Sequence, residues 1–130
     1  MLVPEPSTRP RIALNRAGLF VQRGPDAGFV PALIAACADL HQSAGPLRVL
    51  FLYGDAARAA DLLQVAAADR AAYAALLQAC RDAGGSTLVC QTALEKLGIA
   101  VSPELPLSVG SLGQWFDLLH DLDAVASLSP

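Results

Sequence analysis

Aromatic side chains are scarce, at 5% of the 130 residues. That leaves no stacking platform for single-stranded nucleic acid. Positive charge is not in surplus either. Nine Lys and Arg stand against twelve Asp and Glu, for a net charge of −3. Arg11, Arg16, Arg23 and Arg48 are scattered among acids. Without a basic stripe the sequence argues against direct RNA or DNA binding. No basic amphipathic helix suggests a membrane surface, and no run is both long enough and free enough of charge to span a bilayer. The three cysteines, Cys37, Cys80 and Cys90, are odd in number and form no CxxC. A disulfide framework is therefore not expected. The two histidines stand alone, so no structural zinc site is expected. The opening MLVPEPSTRPRIAL lacks an apolar run of signal-peptide type. The expectation is a reduced, cytoplasmic protein with no metal and no cofactor.

What is present is alanine and aliphatic residues. Hydrophobic residues make up 54% of the chain. Alanine favours helices and lets them pack closely on a sheet. The length fits one domain with a core of its own. Residues 1–16 contain three prolines by Pro10 and no periodicity. They read as a flexible Pro-rich extension, with the domain over 17–130.

Ala17 to Gln22 reads as a strand, turned by Gly24-Pro25-Asp26. Phe29, Leu33, Cys37 and Leu40 recur at helical spacing. Leu47 to Tyr53, LRVLFLY, is the clearest strand, nearly continuous in apolar residues like a parallel strand covered on both faces. After Gly54-Asp55 a helical stretch is expected, its best stripe being Tyr73, Leu76, Leu77 and Cys80. Gly84-Gly85 closes it as a left-handed cap. Ser86 to Val89 is a short strand, Cys90 follows, and Gln91 to Leu97 is a short helix stopped by Gly98. Ala100 to Gly110 reads as a loop. Ser111 and Gln114 form an S-x-x-Q capping box for a last helix that buries Leu112, Trp115, Phe116 and Leu119. AVASL after Asp123 is the last strand. This alternation predicts an α/β fold, a single three-layer domain with a mostly parallel sheet and helices on both faces.

Parallel sheets present their functional groups at the carboxyl ends of strands. Three turns fall there: Arg23 to Gly28, Gly54 to Arg58 and Cys90 to Thr92. The first, GPDAG, is neither GxGxxG nor a P-loop. The second holds Asp55 and Arg58, a pair that most simply caps a helix start and is solvated. The third is sharper. A cysteine that ends a strand and starts a helix faces free backbone N–H groups and the positive end of the helix dipole. Both favour thiolate, the nucleophilic form. Such a thiolate can take a sulfane sulfur from a donor persulfide and pass it to another cysteine. Gln91 and Thr92 would supply backbone donors. Against this stands the fact that free cysteines are usually buried and inert. Cys37 and Cys80, on apolar helix stripes, read as core. His41 and His120 fall near helix ends, where they complement the dipole. Trp115 reads as core, with the alternative of lining a mouth near Cys90. No GxSxG elbow supports a serine hydrolase.

LVCQTALEKLGI, Leu88 to Ile99, resembles the cysteine motif of the DsrE/DsrF-like, TusD-type family of sulfur-relay proteins. LRVLFLYGDAARAA, Leu47 to Ala60, is similar to that family's second strand and following turn, and VGSLGQWFDLLHDLDAVASL, Val109 to Leu128, to its closing helix and strand. The resemblance implies a five-stranded parallel sheet of flavodoxin-like topology. It implies that Cys90 carries persulfide sulfur between proteins and that the chain assembles into trimers or hexamers, of one or of several subunit types. Its partners would be TusA-like donors and DsrC- or TusE-like acceptors, serving tRNA thiolation or sulfur oxidation. The first strand is weaker than the family's, the turn RGPDAG only loosely alike and the Pro-rich start extra. The other readings are a non-catalytic subunit of a hetero-oligomer and a flavodoxin-type ligand binder, the last without a phosphate loop or an aromatic pair for a flavin.

Overall fold

The computed structural model describes residues 15–130. The expected N-terminal extension thus lies, over residues 1–14, outside the described residues. Contacts of the domain reach back to Asn15, whose side-chain amide donates to the carbonyls of Leu47 at 3.1 Å and Ala83 at 2.9 Å. Arg16 pairs with Asp123 at 2.8 Å.

Five strands form one sheet: β1 (Ala17–Val21), β2 (Leu47–Leu52), β3 (Ser86–Cys90), β4 (Ser108–Gly110) and β5 (Ala124–Leu128). Their spatial order is β4-β3-β2-β1-β5, and every pairing is parallel. Four α-helices accompany them: α1 (Phe29–Ala44), α2 (Arg70–Asp82), α3 (Gln91–Leu97) and α4 (Leu112–Leu119). The chain steps from β1 to β4 in one direction across the sheet, so right-handed crossovers put α1, α2 and α3 on one face. The return from β4 to β5 carries α4 to the other.

The two faces have different cores. On the first, Leu19, Val21, Leu50, Leu52 and Val89 are fully buried, and the Phe29 and Tyr73 rings of α1 and α2 stand 6.0 Å apart. On the second, Trp115 of α4 lies 5.2 Å from Phe20 and 5.9 Å from Phe51 between ring centroids. Gly18 makes room for it, because a Cβ there would press on the Trp115 ring and on Leu122. With both faces covered, β2 must be apolar at nearly every position, as LRVLFL is.

Three sequence expectations need correction. The stretch after Gly54 is α-helical only from Arg70. Before it run three 3-10 segments, Gly54–Ala60, Leu62–Gln64 and Ala67–Asp69, broken where Asp61 and Val65 turn extended. Ala56, Ala57, Ala59 and Ala60 are all fully buried, so small side chains here serve close packing rather than a regular helix. The loop from Ala100 contains β4, whose three residues pair with Leu88, Val89 and Cys90. Phe116, expected inside, is 55% exposed, because α4 turns Trp115 rather than its neighbour to the sheet. The capping box stands as expected, with Ser111 and Gln114 bonded reciprocally at 2.8 and 3.1 Å.

Candidate functional site

β3 carries the chain to the carboxyl edge of the sheet and ends on Cys90, which is also the N-cap of α3. Its backbone is extended, with φ −65° and ψ 118°, and helical geometry begins at Gln91. No side chain caps this helix, so the first amides of α3 are not taken up by a capping side chain. α3 ends at Gly98, whose φ of 66° is the left-handed cap the sequence predicts.

Cys90 lines a small pocket of about 140 Å³ with Tyr53, Gly54, Thr92, Ala93 and Lys96. The pocket forms where the ends of β2 and β3 meet the first turns of α3. Tyr53 and Gly54 follow β2 directly, and Gly54 has φ 60°, a left-handed turn that an L side chain adopts only under strain. Thr92 and Lys96 are one helical turn apart and so share a face of α3. Lys96 is the charged residue among those lining the pocket and sets a positive field at its mouth. Cys90 itself is 4% exposed.

Of the residues singled out by sequence, Cys90 and Thr92 are thus together. The others stand apart from this pocket. Gln91 is exposed and its side chain donates to Glu95 at 3.3 Å. Asp55 turns to Arg58 at 3.7 Å, an exposed pair. Trp115 is buried in the aromatic cluster and lines a separate apolar hollow of about 380 Å³ with Phe20, Tyr53 and Phe116. It approaches the Cys90 pocket only through Tyr53, which borders both. Neither His41 nor His120 borders the Cys90 pocket. Gly54 opens one of the three turns singled out by sequence, whereas Tyr53, Ala93 and Lys96 are the members that sequence reasoning missed. The placing of sites at the carboxyl ends of parallel strands points to this edge of the sheet, but nothing local marks these residues.

Among the described residues no group of three or more His, Cys, Asp and Glu is arranged to hold a metal. No helix among them is long and apolar enough to cross a membrane. The chemistry on offer is that of a sheltered thiol with one cation at the rim.

No curated protein matches the chain in sequence. The crystal structure of the YchN protein from E. coli shares the fold with a TM-score of 0.65 at 18% identity, over 88% of this chain and 99% of that one. The family model for DsrE/DsrF-like proteins matches residues 15–127, through nearly all of β5. The chain belongs to the DsrE/DsrF-like family.

Proposed function

We propose that this protein is a sulfur carrier that accepts sulfane sulfur on Cys90 as a persulfide and relays it to a cysteine of a partner protein. Family membership supports a role of the sulfur-relay type. The observation that carries the finer reading is the position of Cys90, which ends β3 inside a pocket with Lys96 at its rim. In the first step the Cys90 thiolate attacks the outer sulfur of a donor persulfide. The donor S–S bond breaks, the donor leaves as thiolate, and Cys90–S–S⁻ forms after loss of its proton to solvent. Lys96 favours that anion. In the second step an acceptor thiolate attacks the outer sulfur and Cys90 leaves as thiolate, with no net oxidation. The donor is a small TusA-like carrier and the acceptor a DsrC- or TusE-like protein, within an intracellular oligomer serving tRNA thiolation or sulfur oxidation.

Incubation with a persulfide donor followed by intact-mass and peptide mass spectrometry tests this. One added sulfur atom on Cys90, absent in Cys90→Ser, is the expected result. No added sulfur, or equal loading of Cys90→Ser, rejects it.

A second reading, a non-catalytic subunit of a hetero-oligomer, is favoured by the burial of Cys90 at 4% exposure. Under it Cys90 reacts with iodoacetamide no faster than an unperturbed thiol at any pH.

A further inference from the structure

The other two cysteines border one groove. Cys37 lies on the buried stripe of α1 with Leu33 and Leu40, and Cys80 sits in the last turns of α2. Both line one apolar groove of about 350 Å³ between these helices, which also holds Ile34, His41, Leu47 and Leu76. The two thiols border the same groove from opposite helices, and both are free. Cys37 is buried and Cys80 half-buried, so an oxidant entering the groove meets Cys80 first. The persulfide relay at Cys90 uses neither.

We propose that Cys37 and Cys80 form a second thiol site, a dithiol that peroxides convert to an intramolecular disulfide tying α1 to α2. The Cys80 thiolate attacks one peroxide oxygen, the O–O bond breaks, and Cys80 sulfenic acid forms with hydroxide as leaving group. Cys37 then attacks the Cys80 sulfur. Its proton goes with the departing hydroxide as water, and the S–S bond closes. Two thiols and one hydrogen peroxide give one disulfide and two waters. The division of labour follows from exposure, since Cys80 is the more open of the two. Donation from Cys37 favours the Cys80 thiolate, while the same hydrogen bond, with burial, holds Cys37 in its protonated form. His41 follows Cys37 by one turn of α1 and lines the same groove.

The consequence reaches the other site. The loop closed by this bond contains β2 and the Tyr53-Gly54 wall of the Cys90 pocket. Oxidation therefore restrains that wall without touching Cys90.

The test is hydrogen peroxide treatment of the full chain, then alkylation with iodoacetamide and intact-mass analysis, with non-reducing peptide mapping. The expected result is a monomeric chain lighter by two hydrogens, a Cys37–Cys80 linked peptide and a single alkylated cysteine, Cys90. Cys90→Ser still loses the two hydrogens, whereas Cys80→Ser and Cys37→Ala do not. Should Cys37→Ala fold poorly, the half-buried Cys80→Ser alone decides. The oxidised chain melts roughly 5–15 °C higher than the reduced one. A disulfide involving Cys90, a link between two chains, or sulfinic acid on Cys80 with no crosslink overturns the proposal. None of these outcomes bears on whether Cys90 loads sulfur.

Discussion

Tyr53 and Cys90 border the same pocket from the ends of adjacent parallel strands, and Tyr53 also stands 5.2 Å from Phe20, inside the aromatic cluster under α4. One residue therefore borders the thiol's pocket and packs its ring into the second core. Shortening it exposes the thiol and opens the cluster together.

In Tyr53→Ala, iodoacetamide should alkylate Cys90 at least about fivefold faster, because access controls thiol reactivity. The measurement belongs in a background carrying Cys37→Ser and Cys80→Ser, so that only Cys90 reports. Urea denaturation should show a loss of about 2 kcal/mol, from a half-buried aromatic truncated to a methyl. An unchanged alkylation rate shows that Tyr53 does not shelter the sulfur.

The Tyr73 hydroxyl donates to the Ala59 carbonyl at 2.7 Å, with Tyr73 fully buried. Tyr73→Phe leaves that carbonyl of the first 3-10 segment without its partner and should cost about 1–2 kcal/mol. Burial also pushes the Tyr73 phenol above its ordinary value of 10.0. The folded state thus holds the neutral form while the unfolded chain ionises. Stability is complete below pH of about 10 and falls as pH rises beyond it. Tyr73→Phe should lose stability less steeply over that alkaline range, as read from urea midpoints at successive pH values.

Gly85 leads from α2 into β3, and a Cβ there would collide with the Leu47 carbonyl and lie 3.1 Å from the Cys80 carbonyl. Both obstacles are backbone, so neither can swing aside. Gly85→Ala should destabilise the fold by more than about 2 kcal/mol, the range of an overpacked site. An unchanged thermal midpoint rules out a rigid junction there.

Asp26 accepts from Arg23 at 3.0 and 3.2 Å. That hydrogen bond, helped by the Arg23 charge and the amides of Gly28 and Phe29, holds the carboxyl below the usual aspartate range. The bonded form is present at neutral pH and is lost as pH falls through the lowered folded-state value. In Arg23→Ala the Asp26 titration midpoint, followed by NMR, should move upward, with little change in stability because the pair is exposed.

Much of this fold is legible in the sequence where local chemistry and tertiary packing agree. LRVLFLY is apolar at almost every position because β2 is covered on both faces, and no other element suits that pattern. Ser111 and Gln114 mark the start of α4 because they satisfy each other's backbone amides. β4 was hidden because three residues, SVG, carry no period, and their pairing is made entirely by β3. The alanines of Gly54–Ala60 pointed to an α-helix by propensity, yet tertiary packing turned them into tight 3-10 turns. At the site, Cys90 was legible from its place between strand and helix. Lys96 and Tyr53 were not, since nothing local marks which residues of one element meet the end of another.

β5 pairs with β1, so the first and last strands of the sheet are neighbours with nearly the whole described chain between them. During synthesis on the ribosome, β1 waits for a partner that is made after the other strands of the sheet. Until α4 and β5 emerge, Phe20 and Phe51 have no Trp115 to cover them. The nascent protein thus presents a bare aromatic surface next to an open β1 edge, a surface of the kind that chaperones hold. A truncation before Leu112 removes α4 and β5 and makes that transient state permanent, so aggregation of such a fragment, rather than a smaller folded domain, is the outcome this topology dictates.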